Sequence, residues 1–300
     1  MKRPLTAALT AVLLFAACDS SDDGPPPAAV VVYAAEDQET RLAEAFAAFT
    51  ADTRIPVMLK VGDGASNLRA VVENIGVPAA DVLVTTGVMD VWRAADEGAL
   101  RPLTATHFDD VPAILRDPDR TWVAIGIRHA VIAASADADV EAVDDYADLA
   151  TAELRGKVCL SSSALTINRA LIAMLIEDIG LKPAERMVRA WVKNLAASPY
   201  ATEQQLIQAL RSGPCQFAIL SSSLDLDGLH AIRPTPLYMD IDAIAVARHA
   251  TQPESAQSLV QWLLASSALA DDGSSNAKNV GLAGWRDEDV RLLAERAGYR

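Results

Sequence analysis

The 300-residue chain contains none of the short motifs that usually mark a catalytic or nucleotide-binding site. It has no HExxH, GxSxG, GxxxxGKS/T or GxGxxG pattern, and its four histidines are scattered along the sequence. Covalent and acid–base catalysis require a nucleophile beside a general base, and no such pair is visible here. We therefore expect a protein that is not an enzyme, uses no cofactor and has no dedicated metal site.

Aromatic residues and cysteines are also scarce. Aromatics make up 5% of the chain, which argues against a protein that stacks carbohydrates on aromatic rings. The three cysteines, Cys18, Cys159 and Cys215, show no CxxC spacing, which argues against a structural zinc site. The net charge of −14 comes from 26 Lys and Arg against 40 Asp and Glu, so the chain lacks the basic surface that nucleic-acid binding requires.

The N-terminus has an apolar segment that is too short to span a bilayer comfortably. Residues 5–17 follow two basic residues and end in Ala-Ala-Cys18. This pattern predicts a signal peptide over residues 1–17 and lipid attachment at Cys18, with an ordinary secretory signal as the alternative. Residues 18–28 are polar and Pro-rich, which predicts a disordered tether. We expect a periplasmic protein that a lipid anchors to a membrane.

Export places the other two cysteines, Cys159 and Cys215, in an oxidising compartment. Lipid attachment consumes Cys18, so an even number of cysteines remains and a disulfide between them is favoured. Two buried thiols are the alternative, because free cysteine is common in protein cores.

Apolar runs and helical spacing alternate along the rest of the chain and predict an α/β fold with two α/β clusters. Strands are predicted near residues 30–33, 55–61, 80–84, 121–134, 157–161, 216–220 and 241–247. Helices are predicted near residues 39–50, 67–73, 88–97, 167–179, 183–194, 202–211, 253–265 and 286–297.

The loops that follow four of the predicted strands are the natural place for a ligand, because such sheets bind ligands beyond the carboxyl ends of their strands. Three of these loops are rich in hydroxyl side chains. Hydroxyl groups at the start of a helix are suited to binding an anion or a polar solute, and helix capping alone is the alternative explanation. The four loops are residues 34–37, 85–87, 161–163 and 221–223.

Several segments, in this order and spacing, resemble one protein family. They are Val30-Val-Val-Tyr33, Pro78-Ala-Ala-Asp81, Gly156-Lys-Val-Cys159, Gly213-Pro-Cys215 and Leu292-Leu-Ala-Glu-Arg-Ala-Gly298, with Trp122 and Arg128 between the second and the third. From about residue 30 to residue 300 the chain resembles an iron(III)-type periplasmic substrate-binding protein of an ABC importer.

The resemblance implies a two-lobed type II periplasmic-binding-protein fold, with two α/β sheets joined by a hinge. It implies an ABC permease in the inner membrane as partner, a Cys159–Cys215 disulfide, and a small molecule or ion as ligand; we expect a monomer. The lobes are predicted as residues 29–125 plus 236–280 and residues 126–235 plus 281–300.

The chain departs from the family at the iron ligands. The adjacent tyrosines that bind iron correspond to Ser223 and Leu224, and the family's first-lobe histidine corresponds to Asp37. Its acidic position corresponds to Thr86, and a further tyrosine of some members corresponds to Ala134. A neutral serine hydroxyl does not replace an anionic phenolate as a ligand for Fe(III), so we expect the tyrosine-based iron site to be absent.

Part of the family's anion-binding half is retained. Arg128 corresponds to an arginine that binds the companion anion, and Ser162 and Ser163 lie in the loop that assists it. We therefore expect Arg128 to be the main polar contact of the ligand; pairing with a nearby Asp or Glu of this acidic protein is the alternative. The full set of predicted ligand-binding residues is Asp37, Thr86, Arg128, Ser162, Ser163, Glu203, Ser222, Ser223 and Asp240.

Three functions remain open at this point. The first is capture of a small polar or anionic solute between two lobes for an ABC importer. The second is binding of ferric iron or an iron chelate through carboxylates, which are hard ligands. The third is a sensing or surface-interaction lipoprotein without a role in transport.

Lipid attachment at Cys18 is directly testable. We expect Cys18→Ser to move the protein from the membrane fraction to the soluble fraction, because the substitution removes the acyl chains that hold it to the bilayer. Cell fractionation followed by immunoblotting measures this. An unchanged membrane fraction in the variant would contradict the lipid anchor.

Overall fold

A computed structural model describes residues 28–266 and 280–300 of the chain. The predicted signal peptide, Cys18 and nearly all of the predicted tether lie outside the described residues. Among the helices in the described ranges, none has the length and the apolar character needed to cross a membrane.

The first half of the chain forms the predicted β-α-β-α-β-α order. Strands β1 (Val30–Ala35), β2 (Val57–Gly62) and β3 (Val82–Thr86) alternate with helices α1 (Glu39–Thr53), α2 (Gly64–Val72) and α3 (Val88–Asp96). The three strands pair in parallel, with β1 in the middle. Helix α1 buries Leu42, Phe46 and Phe49 against them, the 3,4 spacing that predicted the helix.

A second α/β cluster follows. Its strands are β6 (Val158–Cys159), β7 (Phe217–Ser221) and β8 (His230–Ile232), and its helices are α4 (Thr166–Ile179), α5 (Leu181–Lys193) and α6 (Glu203–Ser212). The last helix, α9 (Asp287–Ala297), packs against α4 and α5, while α7 (Pro253–Ser266) packs against α1 and β9 (Met239–Ala247). The α/β fold class is confirmed.

Two long strands connect the clusters. Strand β5 (Trp122–Ala134) pairs with β9 along its first part and with β7 and β8 along its second part, always antiparallel. The resulting strand order is β2-β1-β3-β9-β5-β7-β6, and β4 (Leu100–Arg101) adds to the side of β9. The predicted lobe boundary at residue 125 falls inside β5, and the lobe limits stay a prediction.

The elements that the sequence did not predict are short. Strands β4 and β8 and helix α8 (Gly281–Gly284) have two to four residues each, and short 3₁₀ helices lie on both sides of β5, within residues 106–115 and 140–154. A periodic pattern of apolar residues becomes recognisable only over more residues than these elements contain. Their conformation therefore depends on the neighbouring elements with which they pair.

The predicted disulfide is confirmed. Cys159 at the end of β6 bonds to Cys215 just before β7, with the two Cα atoms 5.6 Å apart. The strands pair in parallel so that Cys159 lies opposite Ala218, and both cysteines are buried. The bond therefore fastens the start of β7 to β6 inside the second cluster.

Removing this disulfide has a predictable cost. The cysteines are 56 residues apart, and the chain-entropy model gives about 4 kcal/mol for a closed loop of that length. We expect the double variant Cys159→Ala/Cys215→Ala to lose up to about this much free energy of unfolding in a denaturant titration. An unfolding free energy equal to that of the parent protein would contradict a structural role.

Candidate ligand-binding cleft

A cleft of about 1400 Å³ opens between the two α/β clusters. The loops after β1 and β3 line one wall, and the N-terminal ends of α4 and α6 together with the loop after β7 line the other. Five of the nine predicted ligand-binding residues are part of the lining: Asp37, Thr86, Arg128, Glu203 and Ser223.

The other four predicted residues are not among the lining residues. Ser163 donates its hydroxyl to the carbonyl of Tyr299, and Ser162 accepts the Ala164 N–H. The Ser222 hydroxyl accepts the backbone N–H of His129. These three serines hold backbone segments in place, and Asp240 is fully buried below the cleft. A ligand contact for these four residues stays a prediction.

Arg128 in β5 lies at the floor of the cleft and forms two buried ion pairs. Its Nη2 is 3.1 Å from Asp240 Oδ2, and its Nε is 3.0 Å from Asp242 Oδ1. Side-chain exposure is 7% for Arg128, 0% for Asp240 and 9% for Asp242. The protein itself therefore supplies the counter-charges that the sequence analysis assigned to a ligand, and the ligand-anchoring role of Arg128 stays a prediction.

A β-bulge in β5 creates this pairing. Ala124 lies opposite Ala243, but after the bulge Gly126 lies opposite Asp242 and Arg128 lies opposite Asp240. An uninterrupted register would have placed Arg128 opposite Met239 instead. Gly126 also makes room for the carboxylate, since a Cβ at this position would stand 3.0 Å from Asp242 Oδ2.

Asp240 is held by backbone donors as well as by Arg128. Its Oδ1 accepts the N–H groups of Val88 and Ile241, each at 2.9 Å. Burial raises the pKa of Asp240, while Arg128 and the two N–H donors oppose the rise. Because Val88 is the first residue of α3, the carboxylate also fixes the start of that helix against β9.

A chain of hydrogen bonds runs along the first wall. The Thr86 hydroxyl donates to Asp37 Oδ1 at 2.8 Å and accepts from Gln38 Nε2 at 2.9 Å. Arg41 Nε donates to Gln38 Oε1 at 3.1 Å, and Arg41 Nη2 lies 3.5 Å from Asp242 Oδ2. This chain connects Asp37, in the loop after β1, to the floor of the cleft.

Glu203 projects from the opposite wall at the first turn of α6. Its Oε1 accepts the Ser221 N–H at 2.7 Å, and the Ser221 and Ser223 hydroxyls lie 2.8 Å apart. Burial raises the pKa of Glu203, and the negative charge of Asp37 acts in the same direction, while the Ser221 N–H and Arg128 oppose it. The two carboxylates therefore interact across the cleft.

A further ion cluster lies where α3 meets α4, and the sequence analysis missed it. Arg169 in α4 bonds Asp90 in the first turn of α3 at 3.2 Å and Asp287 at the start of α9 at 2.7 Å. Gly87 has φ +102°, and a Cβ there would stand 2.9 Å from the Thr166 Cβ, so this glycine permits the close approach of the two helix starts. Sequence spacing carries no signal for such contacts between distant segments.

Gln38 and Arg41 also escaped the sequence analysis as predicted binders. They stand one and four residues from Asp37, so proximity to the loop after β1 was the available signal. Within the described ranges, no group of three or more His, Cys, Asp or Glu side chains is arranged to hold a metal ion.

Comparison with known proteins places the chain in a family. Residues 30–273 match the family described as bacterial extracellular solute-binding protein. The chain belongs to this family. A curated relative, iron uptake protein A1 of Synechocystis, is 29% identical over 181 residues, which are 60% of this chain, and the chain spans 50% of the length of that relative.

Solved structures agree on the fold. A ferric binding protein from Campylobacter jejuni has a TM-score of 0.81 at 19% identity, covering 90% of this chain and 100% of that one. The Trichodesmium protein IdiA (FutA), in complex with iron and citrate, has a TM-score of 0.80 at 23% identity, covering 91% of this chain and 100% of that one. The two-lobed periplasmic-binding-protein fold is thereby confirmed, and a periplasmic location agrees with this membership.

The ion pairs of Arg128 lead to a stability prediction. We expect Arg128→Met to lower the free energy of unfolding by about 3–5 kcal/mol, because it leaves the buried Asp240 without its counter-charge. The matched control is Arg41→Met, which also removes a contact to Asp242 but at a side chain that is 47% exposed; we expect about 0–1 kcal/mol there. Denaturant titration measures both, and equal losses in the two variants would contradict the special role of Arg128.

Proposed function

We propose that the protein is the solute-binding component of an ABC importer, anchored by lipid at Cys18. It captures a small polar solute between residues 29–125 plus 236–280 and residues 126–235 plus 281–300, and delivers it to an inner-membrane permease. One observation carries the proposal: polar side chains from both α/β clusters converge on one cleft in a chain of the solute-binding family.

The contacts of the cleft suit reversible capture. Asp37 and Thr86 stand on one wall and Glu203 and Ser223 on the other, so a solute that touches both walls stabilises the closed arrangement of the lobes. Strands β5 and β9 connect the clusters through the floor of the cleft, where bending of a few residues moves the walls relative to each other. No bond is made or broken in this process.

Binding of ferric iron or an iron chelate is the second candidate. Its support is the name of the curated relative, iron uptake protein A1, and the iron and citrate bound to the Trichodesmium protein. Against it, Ser223 and Leu224 lie on the cleft wall at the positions that correspond to the family's paired tyrosines. A chelate that brings its own ligands to the metal remains compatible with this wall.

Native mass spectrometry of the protein from its own host tests solute capture. We expect a single small molecule bound at a ratio of one to one, and a smaller radius of gyration by X-ray scattering when the solute is returned to the stripped protein. If no solute of any charge class binds, the proposed function is wrong.

Ferric citrate separates the two candidates in the same preparation. We expect the stripped protein to stay colourless when ferric citrate is added, because the lining that the described residues form contains no tyrosine for phenolate-to-iron charge transfer. A strong visible band with submicromolar affinity would favour the iron-binding candidate instead. Ferric citrate that binds without colour would identify a chelate as the cargo.

A further inference from the structure

The arginines at the floor of the cleft already have anionic partners. Arg128 is paired with Asp240 and Asp242, and Arg41 reaches Asp242 and the amide oxygen of Gln38. An anionic solute that bound Arg128 would place its charge beside the carboxylates of Asp240 and Asp242, which already neutralise the guanidinium group. The floor of the cleft therefore disfavours an anion.

The third deep arginine is occupied in the same way. Arg169 lies between Asp90 and Asp287, with nitrogen–oxygen distances of 3.2 Å and 2.7 Å. Arg169 is therefore not free for an anion. Exposed Arg93 also lines the cleft and acts on Asp90, so two arginines match the two carboxylates and this side adds no excess charge of either sign.

The carboxylates on the facing walls lack such partners. Asp37 accepts the Thr86 hydroxyl and Glu203 accepts the Ser221 N–H, and in the described parts of the chain neither carboxylate forms an ion pair with a lysine or an arginine. Glu203 is half-buried, and its pKa is raised first by burial and then by the charge of Asp37. Each of these two groups would be stabilised by a positive charge placed between them.

A count of the formal charges in the cleft also gives an excess of negative charge. Asp37 and Glu203 line the same cleft as Arg128 and Arg41, and Asp240 and Asp242 form ion pairs with Arg128. Counted together, these four carboxylates and two guanidinium groups leave two negative charges in excess. The lining as a whole holds six Asp and Glu side chains and four Arg side chains. A partly buried site with this excess favours a cation.

We infer that the solute is a small organic cation whose ammonium or guanidinium group binds between Asp37 and Glu203. This inference rests on the proposed function, since the cleft of a solute-binding protein is what makes these carboxylates a ligand site. The hydroxyls of Thr86 and Ser223 add acceptors for the remaining N–H groups of the cation. The net charge of −14 also attracts cations to the protein by long-range electrostatics.

A panel of probes tests the charge class on the stripped full-length protein. The cations are 1,4-diaminobutane, spermidine, arginine and choline, and the matched four-carbon controls are neutral 1,4-butanediol and anionic succinate. We expect at least one cation to raise the melting temperature and to bind in calorimetry, with weaker binding at higher salt, and no effect of either control. If none of the four cations binds, or if succinate binds more tightly than the cations, the inference is wrong.

Variants test the two carboxylates. We expect Asp37→Asn and Glu203→Gln each to weaken the bound cation about tenfold to a hundredfold, because each loses a charge-assisted hydrogen bond. Gln at 203 keeps an oxygen for the Ser221 N–H, so the fold is preserved, and unchanged melting temperatures verify this. The matched control Glu141→Gln alters an exposed residue outside the lining and should leave affinity unchanged.

The possible results separate this inference from the proposed function. Parent-level affinity for the cation in both carboxylate variants would overturn the assignment to Asp37 and Glu203. A neutral or anionic solute retained from the host would overturn the charge class and leave solute capture intact. Absence of binding by any solute would overturn both.

Discussion

The buried ion pairs of Arg128 with Asp240 and Asp242 hold together the two strands that connect the halves of the molecule. Strands β5 and β9 pair through the floor of the cleft, and Asp240 also fixes the first residue of α3. Removal of one partner of a buried ion pair leaves the other as an unpaired buried charge, which strongly destabilises the folded protein. The start of α3, next to one wall of the cleft, therefore depends on this electrostatic cluster.

The same cluster determines what the cleft is able to bind. An arginine at the floor would serve an anion if it were free, but here Arg128 forms ion pairs with two aspartates. Asp37 and Glu203 on the walls, by contrast, form no ion pair with a lysine or an arginine in the described parts of the chain. Ferric binding proteins share this fold. The cleft of this protein nevertheless has a more negative charge balance than Arg128 alone suggests.

Much of the fold follows from the sequence by local rules. The 3,4 spacing of Leu42, Phe46 and Phe49 gives α1, and apolar runs give β1, β3 and β7, because burial of a periodic surface selects one conformation. For the site, the loops after the strands indicated Asp37 and Thr86, which both line the cleft, and their contact with a ligand stays a prediction. The small elements β4 and β8 escaped prediction because contacts with distant strands stabilise them.

The alternation of strands and helices, the even number of cysteines after Cys18, and serine and leucine at positions 223 and 224 are all visible in the sequence. These features depend on residue identity and on neighbours close in the chain. Tertiary structure decided the partners of Arg128, because a one-residue bulge shifts its opposite residue from Met239 to Asp240. It also decided that Glu203 and Asp37 interact across the cleft, since residues 166 positions apart are brought together only when the whole chain has folded.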